Sequence, residues 1–456
     1  MKGFMIAGDR SGTGKTSVTL AVAGILSEKY CVQTFKVGMD YIDPSYHTAV
    51  TGRPCRNLDS FVMETDTIKS IFAEGCEGAD IAIVEGVRGL YEGSEATGDE
   101  GSSASIAKSL DLNVLLVIDA KSITRSAAAI VKGFQSLDKG VKITGVILNN
   151  LHGKSHTKKA VAAVEYYCNL PVIGAIPRTP DLGLRMRHLG LVPYLEGEAS
   201  LEFRDRISHI KESIGSYIDM DKLLTAASSF INQIPFSRKG SDSFSQLKIG
   251  IALDKAFNFY YADLFSLLSS TGTEVTFFKP TEGKLPEADG YIIGGGYPEL
   301  YLAELEANEV LRSAIQEKAQ NGVPFYAECG GLMYLTQEIQ LKEGWQNVKN
   351  EETFYMCGVF PAKTRMPGRR VVSYVEGVSL KGSIMGEFSF KGHEFHYSEV
   401  IPVDELHYTY RLRRGFGIRN GLDGIYIKSV IGSYTHLHPL ASKPMFMQFL
   451  RACENA

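Results

Sequence analysis

The chain has 456 residues, 44% hydrophobic and 22% charged, with 48 Lys and Arg against 52 Asp and Glu for a net charge of −4. Such a length exceeds one ordinary core and predicts two α/β domains of about 200 residues each. The near-neutral balance offers no electrostatic footprint for nucleic acid or an anionic membrane. No apolar run approaches the ~20 residues that span a bilayer, and the N-terminus lacks a signal-peptide core. The seven cysteines are scattered without a CxxC pair, which argues against a disulfide framework or a zinc site. A cytoplasmic enzyme with reduced thiols is expected.

Residues 3–8 form a short buried strand, followed by a Gly-rich loop and a helical pattern to about residue 29. Apolar runs at 33–37, 81–84, 114–118, 145–148 and 172–176 have the character of parallel strands, and helical stretches such as 103–110 and 154–168 lie between them. This alternation predicts a doubly wound parallel sheet covered on both faces. From 195 to about 235 the pattern is helical and charged, and 236–245 is polar and linker-like. A second α/β unit restarts at Leu247. The expected organisation is a first domain over 1–194, a helical connector and linker over 195–246, and a second domain over 247–456.

Gly12-Thr13-Gly14-Lys15-Thr16 follows the first strand and opens a helix, the context a P-loop needs. Its backbone N–H groups would cradle phosphates, Lys15 would reach the β and γ oxygens, and Thr16 would ligate Mg²⁺. Asp9 stands where the first glycine of the motif belongs, with Gly8 one residue earlier. Acidic residues then fall at strand ends: Asp40 and Asp43 after the second strand, Glu85 after the third. Ligands of doubly wound sheets bind at those carboxyl ends, and a hard cation wants carboxylate oxygens there. Asn149, ending the run 145–148, could contact a purine base or cap a turn.

In the second half, residues 323–333 run as an apolar strand into Cys329-Gly330-Gly331. A strand–Cys–helix bend exposes a nucleophile, and a helix starting just beyond it favours negative charge on the sulfur. The strand before Gly294-Gly295-Gly296 ends in bare backbone, so Gly295, Gly296 and Gly330 form a candidate oxyanion hole. Late in the chain, Tyr434-Thr435-His436-Leu437-His438 offers two histidines. His436 is the expected base for Cys329, and His438 would orient it or face the core.

Together these stretches resemble the cobyrinate a,c-diamide synthase family, which joins a dethiobiotin synthetase-like ATPase to a class I glutaminase. The resemblance covers nearly the whole chain. It is carried by the runs 35–44, 56–61, 85–93, 187–191, 254–261, 294–299, 328–331 and 392–398. It implies a P-loop domain followed by a class I glutaminase-like α/β domain, with ammonia freed from L-glutamine at Cys329 and His436. It also implies a tetrapyrrole whose carboxylates are activated by ATP as acyl phosphates. By the same resemblance, Gly12, Thr13, Gly14, Lys15, Thr16 and Asn149 would hold ATP. Lys36, Asp40, Asp43 and Glu92 would handle substrate and acyl phosphate, and Thr16, Asp43 and Glu85 would hold Mg²⁺. No nucleic-acid or membrane partner is expected, and a homodimer is a possible assembly.

Three departures stand out. Glu92 takes a place where the family often has Asp, Ala327 opens the GxCxG nucleophile motif, and His436-Leu437-His438 replaces the usual His-x-Glu. The third member of the triad is therefore absent or replaced, and no catalytic glutamate is assigned. The substrate would be cobyrinate, Ni-sirohydrochlorin or both, since each presents a and c acetates. Rival readings are a cobyric acid synthase-like amidotransferase and a ParA-like ATP switch with an inert second domain.

Overall fold

The computed structural model describes residues 1–178, 201–229, 243–244, 246–345 and 348–456, with only the backbone for 201–204. The run 187–191 and most of the stretch 236–245 lie outside the described residues. The chain divides into two compact units, Met1–Arg238 and Lys239–Ala456.

In the first unit seven parallel strands lie in the order Arg56–Leu58, Val32–Val37, Ile81–Gly89, Lys2–Gly8, Asn113–Asp119, Lys142–Leu151 and Val172–Pro177, and the short strand Ser228–Ser229 pairs antiparallel to Lys2–Gly8. The central strands Lys2–Gly8 and Asn113–Asp119 are apolar and buried along most of their length because helices cover both faces, and Val32–Val37 is equally buried while carrying Gln33, Thr34 and Lys36. Register sets Glu85 level with both Ile6 and Lys36. Helix Leu201–Gly215, within the stretch expected to connect the domains, buries Ile207, Ile210 and Ile214 in this unit's core with Val18 and Val22. Asp205 and Glu212 are exposed and Arg206 and Lys211 half-buried, so a charge-rich pattern belongs to a core helix.

The second unit is built on a nine-stranded mixed sheet in the order Glu274–Phe278, Lys248–Ala252, Gly290–Ile293, Phe325–Glu328, Val430–Ser433, Leu422–Ile427, His407–Arg414, Val371–Ser379 and Ser389–His396. The first five are parallel and the remainder antiparallel. A two-residue strand, Gly295–Gly296, runs antiparallel to Phe257–Phe259 at the carboxyl end of the parallel set. Tyr291 stacks on Phe325, their ring centroids 4.7 Å apart, which fixes the two central strands side by side. Among the described residues no helix is long and apolar enough to cross a membrane.

Candidate active sites

The strand Phe325–Glu328 is buried throughout and stops at Cys329, whose φ of 46° and ψ of −98° lie where a residue with a Cβ seldom sits. Such a bend is strained and is kept at sites where the surroundings over-determine it. The six-residue helix Gly330–Leu335 follows at once. Glycine is a steric necessity here: a Cβ on Gly331 would lie 2.1 Å from the Ile293 carbonyl oxygen. One on Gly330 would lie 3.0 Å from Pro298 Cδ and 3.1 Å from the Gly296 nitrogen. The backbones of Gly330 and Gly296 thus approach closely beside the sulfur, and Gly295 abuts the His436 ring, its hypothetical Cβ 2.8 Å from Cε1.

His436 is 2% exposed and hydrogen-bonds to the Cys329 side chain. Its Nδ1 lies 3.1 Å from Glu328 Oε2. Glu328 Oε1 in turn accepts from the Tyr326 hydroxyl and, at 3.0 Å, from the Leu437 N–H. Burial pulls the imidazole pKa down, but the hydrogen bonds to Cys329 and Glu328 outweigh it and push it up to about 10. His436 is therefore an imidazolium at neutral pH, held against the sulfur by a carboxylate. Cys329 Sγ also lies 3.6 Å from the Phe395 carbonyl oxygen.

Glu328 was not among the residues singled out from sequence, where the acid of the triad was absent or replaced. The structure supplies a carboxylate for His436 from the strand that ends at Cys329. Phe325–Glu328 pairs in parallel with Val430–Ser433, Glu328 opposite Ser433, and the chain beyond Ser433 curls back over the carboxylate. The only signal in sequence was a glutamate immediately before the cysteine. His438, where the usual glutamate would stand, is wholly buried and points its Nε2 at Asp263 Oδ2, 3.2 Å away. It faces the core.

In the first unit the loop between Gly8 and the helix Lys15–Leu26 carries Gly12 and Gly14 at φ of 79° and 90°, left-handed positions that glycine adopts without strain. Asn149 donates through Nδ2 to the Thr13 carbonyl at 2.8 Å and accepts from the Asn150 N–H at 2.9 Å. It therefore braces the loop. Lys15 is buried beneath that loop, and burial together with the Lys36 charge lowers its pKa.

Thr16 Oγ1 donates to Glu85 Oε1 at 2.6 Å and lies 3.4 Å from Asp43 Oδ2. Lys36 Nζ sits between the same two carboxylates, 2.5 Å from Asp43 and 2.8 Å from Glu85. Burial disfavours that ammonium, yet Asp43 and Glu85 hold its pKa above the ordinary lysine range. Burial likewise opposes ionisation of Glu85, but Lys36 and His47 hold its carboxyl well below the usual range. Two carboxylates and a hydroxyl thus converge, oxygen donors of the kind a hard cation takes, with Lys36 Nζ lying between the carboxylates.

Asp40 Oδ1 accepts the N–H groups of Ile42 and Asp43 at 2.7 and 3.3 Å, at the start of the helix Ile42–Thr51. Burial first, and the nearby Asp43 charge second, raise its pKa to about 6. Asn57 fixes the approach by donating to the Gly38 and Asp40 carbonyls, each at 2.8 Å. Glu92 lies against Gly89, whose hypothetical Cβ falls 2.9 Å from Glu92 Oε1, and its charge reaches Lys15. The structure thus brings Thr16, Lys36, Asp40, Asp43 and Glu85 together and sets Glu92 across the loop lysine.

A phosphate loop on one unit and a Cys–His–Glu set on the other define a nucleotide-binding domain joined to a glutamine amidotransferase. Residues 4–191 match the CobQ/CobB/MinD/ParA nucleotide binding domain, and residues 248–444 match the CobB/CobQ-like glutamine amidotransferase domain. The cobyrinate a,c-diamide synthase of Methanosarcina barkeri is 46% identical over 99% of this chain and 96% of its own length. That of Methanosarcina acetivorans is 47% identical over 97% and 93%, and that of Methanocaldococcus jannaschii 42% identical over 97% of each. The chain belongs to the cobyrinate a,c-diamide synthase family. It is accordingly a glutamine-dependent amidating ligase.

Proposed function

We propose that this enzyme amidates the a and c acetate carboxylates of a tetrapyrrole, spending ATP on each carboxylate and drawing ammonia from glutamine. The names of its relatives support cobyrinate as the substrate. Ni-sirohydrochlorin, which presents the same pair of acetates, is the second reading, and it accords with the methanogen sources of those relatives. The carrying observation is Cys329, held at positive φ on a strand–helix bend with His436 and Glu328 behind it.

In the glutaminase step the Cys329 proton rests on His436 and Sγ attacks the side-chain amide carbon. The oxyanion forms beside the amides of Gly295, Gly296 and Gly330, and the C–N bond breaks as His436 gives its proton to the departing ammonia. Water then attacks the thioester, the C–S bond breaks, and His436, now neutral, takes the water's proton. Glu328 keeps the imidazole in register throughout.

In the first unit the loop residues Gly12, Thr13, Gly14 and Lys15 would cradle the triphosphate, with Asn149 behind them. A substrate carboxylate oxygen attacks the γ-phosphorus, releasing ADP and leaving an acyl phosphate. Ammonia then attacks the acyl carbon and phosphate departs. Lys36, Asp40, Asp43 and Glu92 would position the carboxylate and the transferred group. Thr16, Asp43 and Glu85 would hold Mg²⁺, which when bound neutralises charge on the phosphate oxygens. The assembled Cys329, His436 and Glu328 speak against a switch with an inert second domain.

Incubation with Mg·ATP and glutamine, offering cobyrinate and Ni-sirohydrochlorin separately, tests the proposal by mass spectrometry. Two new amides on either substrate are expected. ATP hydrolysis with no amide on either would overturn it. Four amides on the diamide product would favour the cobyric acid synthase-like reading.

A further inference from the structure

Both oxygens of Glu85 are engaged. Thr16 and Lys36 take Oε1, and the His47 Nε2 takes Oε2 at 2.5 Å. His47 lies one helical turn beyond Asp43 on the helix Ile42–Thr51, so one helix face brings Asp43 to Lys36 and Thr16 and His47 to Glu85. Its ring is 0% exposed. A carboxylate oxygen only accepts, so Nε2 donates to it, and Nδ1 is buried with no hydrogen-bond partner among the described residues. An apolar side chain there would remove the unpartnered nitrogen but leave the buried Glu85 Oε2 without its donor. The imidazole is kept for what its other nitrogen does.

We infer that His47 is a positioning residue for the nucleotide's cation. By holding Oε2 it keeps Glu85 Oε1 turned toward Thr16 and Asp43. Residues that orient a metal-binding carboxylate act on affinity nearly as strongly as the ligands themselves. The inference rests on reading Glu85 as a ligand of the cation that accompanies ATP.

The test measures Mn²⁺ binding by electron paramagnetic resonance, with ATP present, on the full chain. His47→Leu keeps the bulk and loses the donor, and His47→Asn places its N–H near the wrong ring position. Both should weaken Mn²⁺ binding by about 10- to 100-fold. His47→Gln, whose amide N–H reaches the Nε2 position, should stay within about threefold of the wild type, as expected when the outer contact is kept. Equal weakening in Gln and Asn variants would mean that the ring matters for packing, and the inference falls. Unchanged binding in the Leu or Asn variant overturns it as well. A Glu85→Gln variant that binds Mn²⁺ like the wild type would instead sink the underlying assignment of Glu85, separating the two failures.

Discussion

Glu328 Oε2 and His436 Nδ1 lie 3.1 Å apart although 108 residues separate them in the chain. The contact exists because the strand that ends in the nucleophile is the parallel neighbour of the strand that leads to the histidine. The carboxylate that meets His436 therefore comes from the residue before Cys329, and His438, two after the histidine, turns to Asp263.

Glu328→Gln should keep the shape of this arrangement and remove its charge. Glutamine hydrolysis is expected to fall on the order of 10²-fold in kcat with little change in KM, the pattern of a lost proton-transfer contribution. Without the carboxylate His436 loses its proton more readily, so the alkaline limb of the rate profile should move to lower pH. A rate-versus-pH series with an unchanged limb would show that Glu328 does not act on His436.

Stability should register the same imidazolium. The His436 pKa is about 10 when folded against an ordinary 6.5, so folding favours the protonated form. That contribution is fully present below about pH 6.5 and is lost as pH rises through about 10. Urea unfolding of the wild type and His436→Asn at pH 6, 8 and 10 checks this, with the gap expected to narrow as pH rises. A gap that widens would reverse the sign and the assignment.

Asp40 carries the opposite signature. Its pKa is raised from 3.8 to about 6, so the folded state resists the charge, and stability falls as pH climbs through that window. Asp40→Asn keeps an oxygen for the Ile42 and Asp43 N–H groups. It should therefore be more stable than the wild type at pH 7.5, the difference vanishing near pH 4, while synthesis is lost. Thermal melts at the two pH values, alongside an activity assay, decide it.

Gly331→Ala should destabilise the second unit by about 1–3 kcal/mol or more, since its Cβ must displace the Ile293 carbonyl of a central strand. Gly52→Ala offers a contrast. Its φ of 69° is left-handed but its Cβ would meet nothing within 4 Å, so the cost is conformational, about 1 kcal/mol. Comparable losses from both, measured by denaturant unfolding, would mean that the nucleophile bend is looser than it looks.

Much of both sites was legible because it is local. A strand, a glycine-rich loop and a helix following in order single out Lys15 and Thr16, and a strand ending in Cys329-Gly330-Gly331 singles out the cysteine bend that the structure shows. Charge patterning misled at the helix Leu201–Gly215, whose isoleucines at 207, 210 and 214 join the first core. His47 and Glu328 escaped notice because nothing in their immediate neighbours requires them.

The sequence by itself determined the parallel strands of the first unit, the phosphate loop and the strand–Cys–helix bend, since each depends on backbone geometry over a few residues. Glu85, by contrast, expected to end its strand, lies inside Ile81–Gly89. Only the tertiary structure decided which carboxylate serves His436, that His438 turns to Asp263, and that Lys36 and His47 converge on Glu85 from 49 and 38 residues away. Those partnerships follow from the order of strands across a sheet, and sheet order is set by how whole helices and strands bury their apolar faces together.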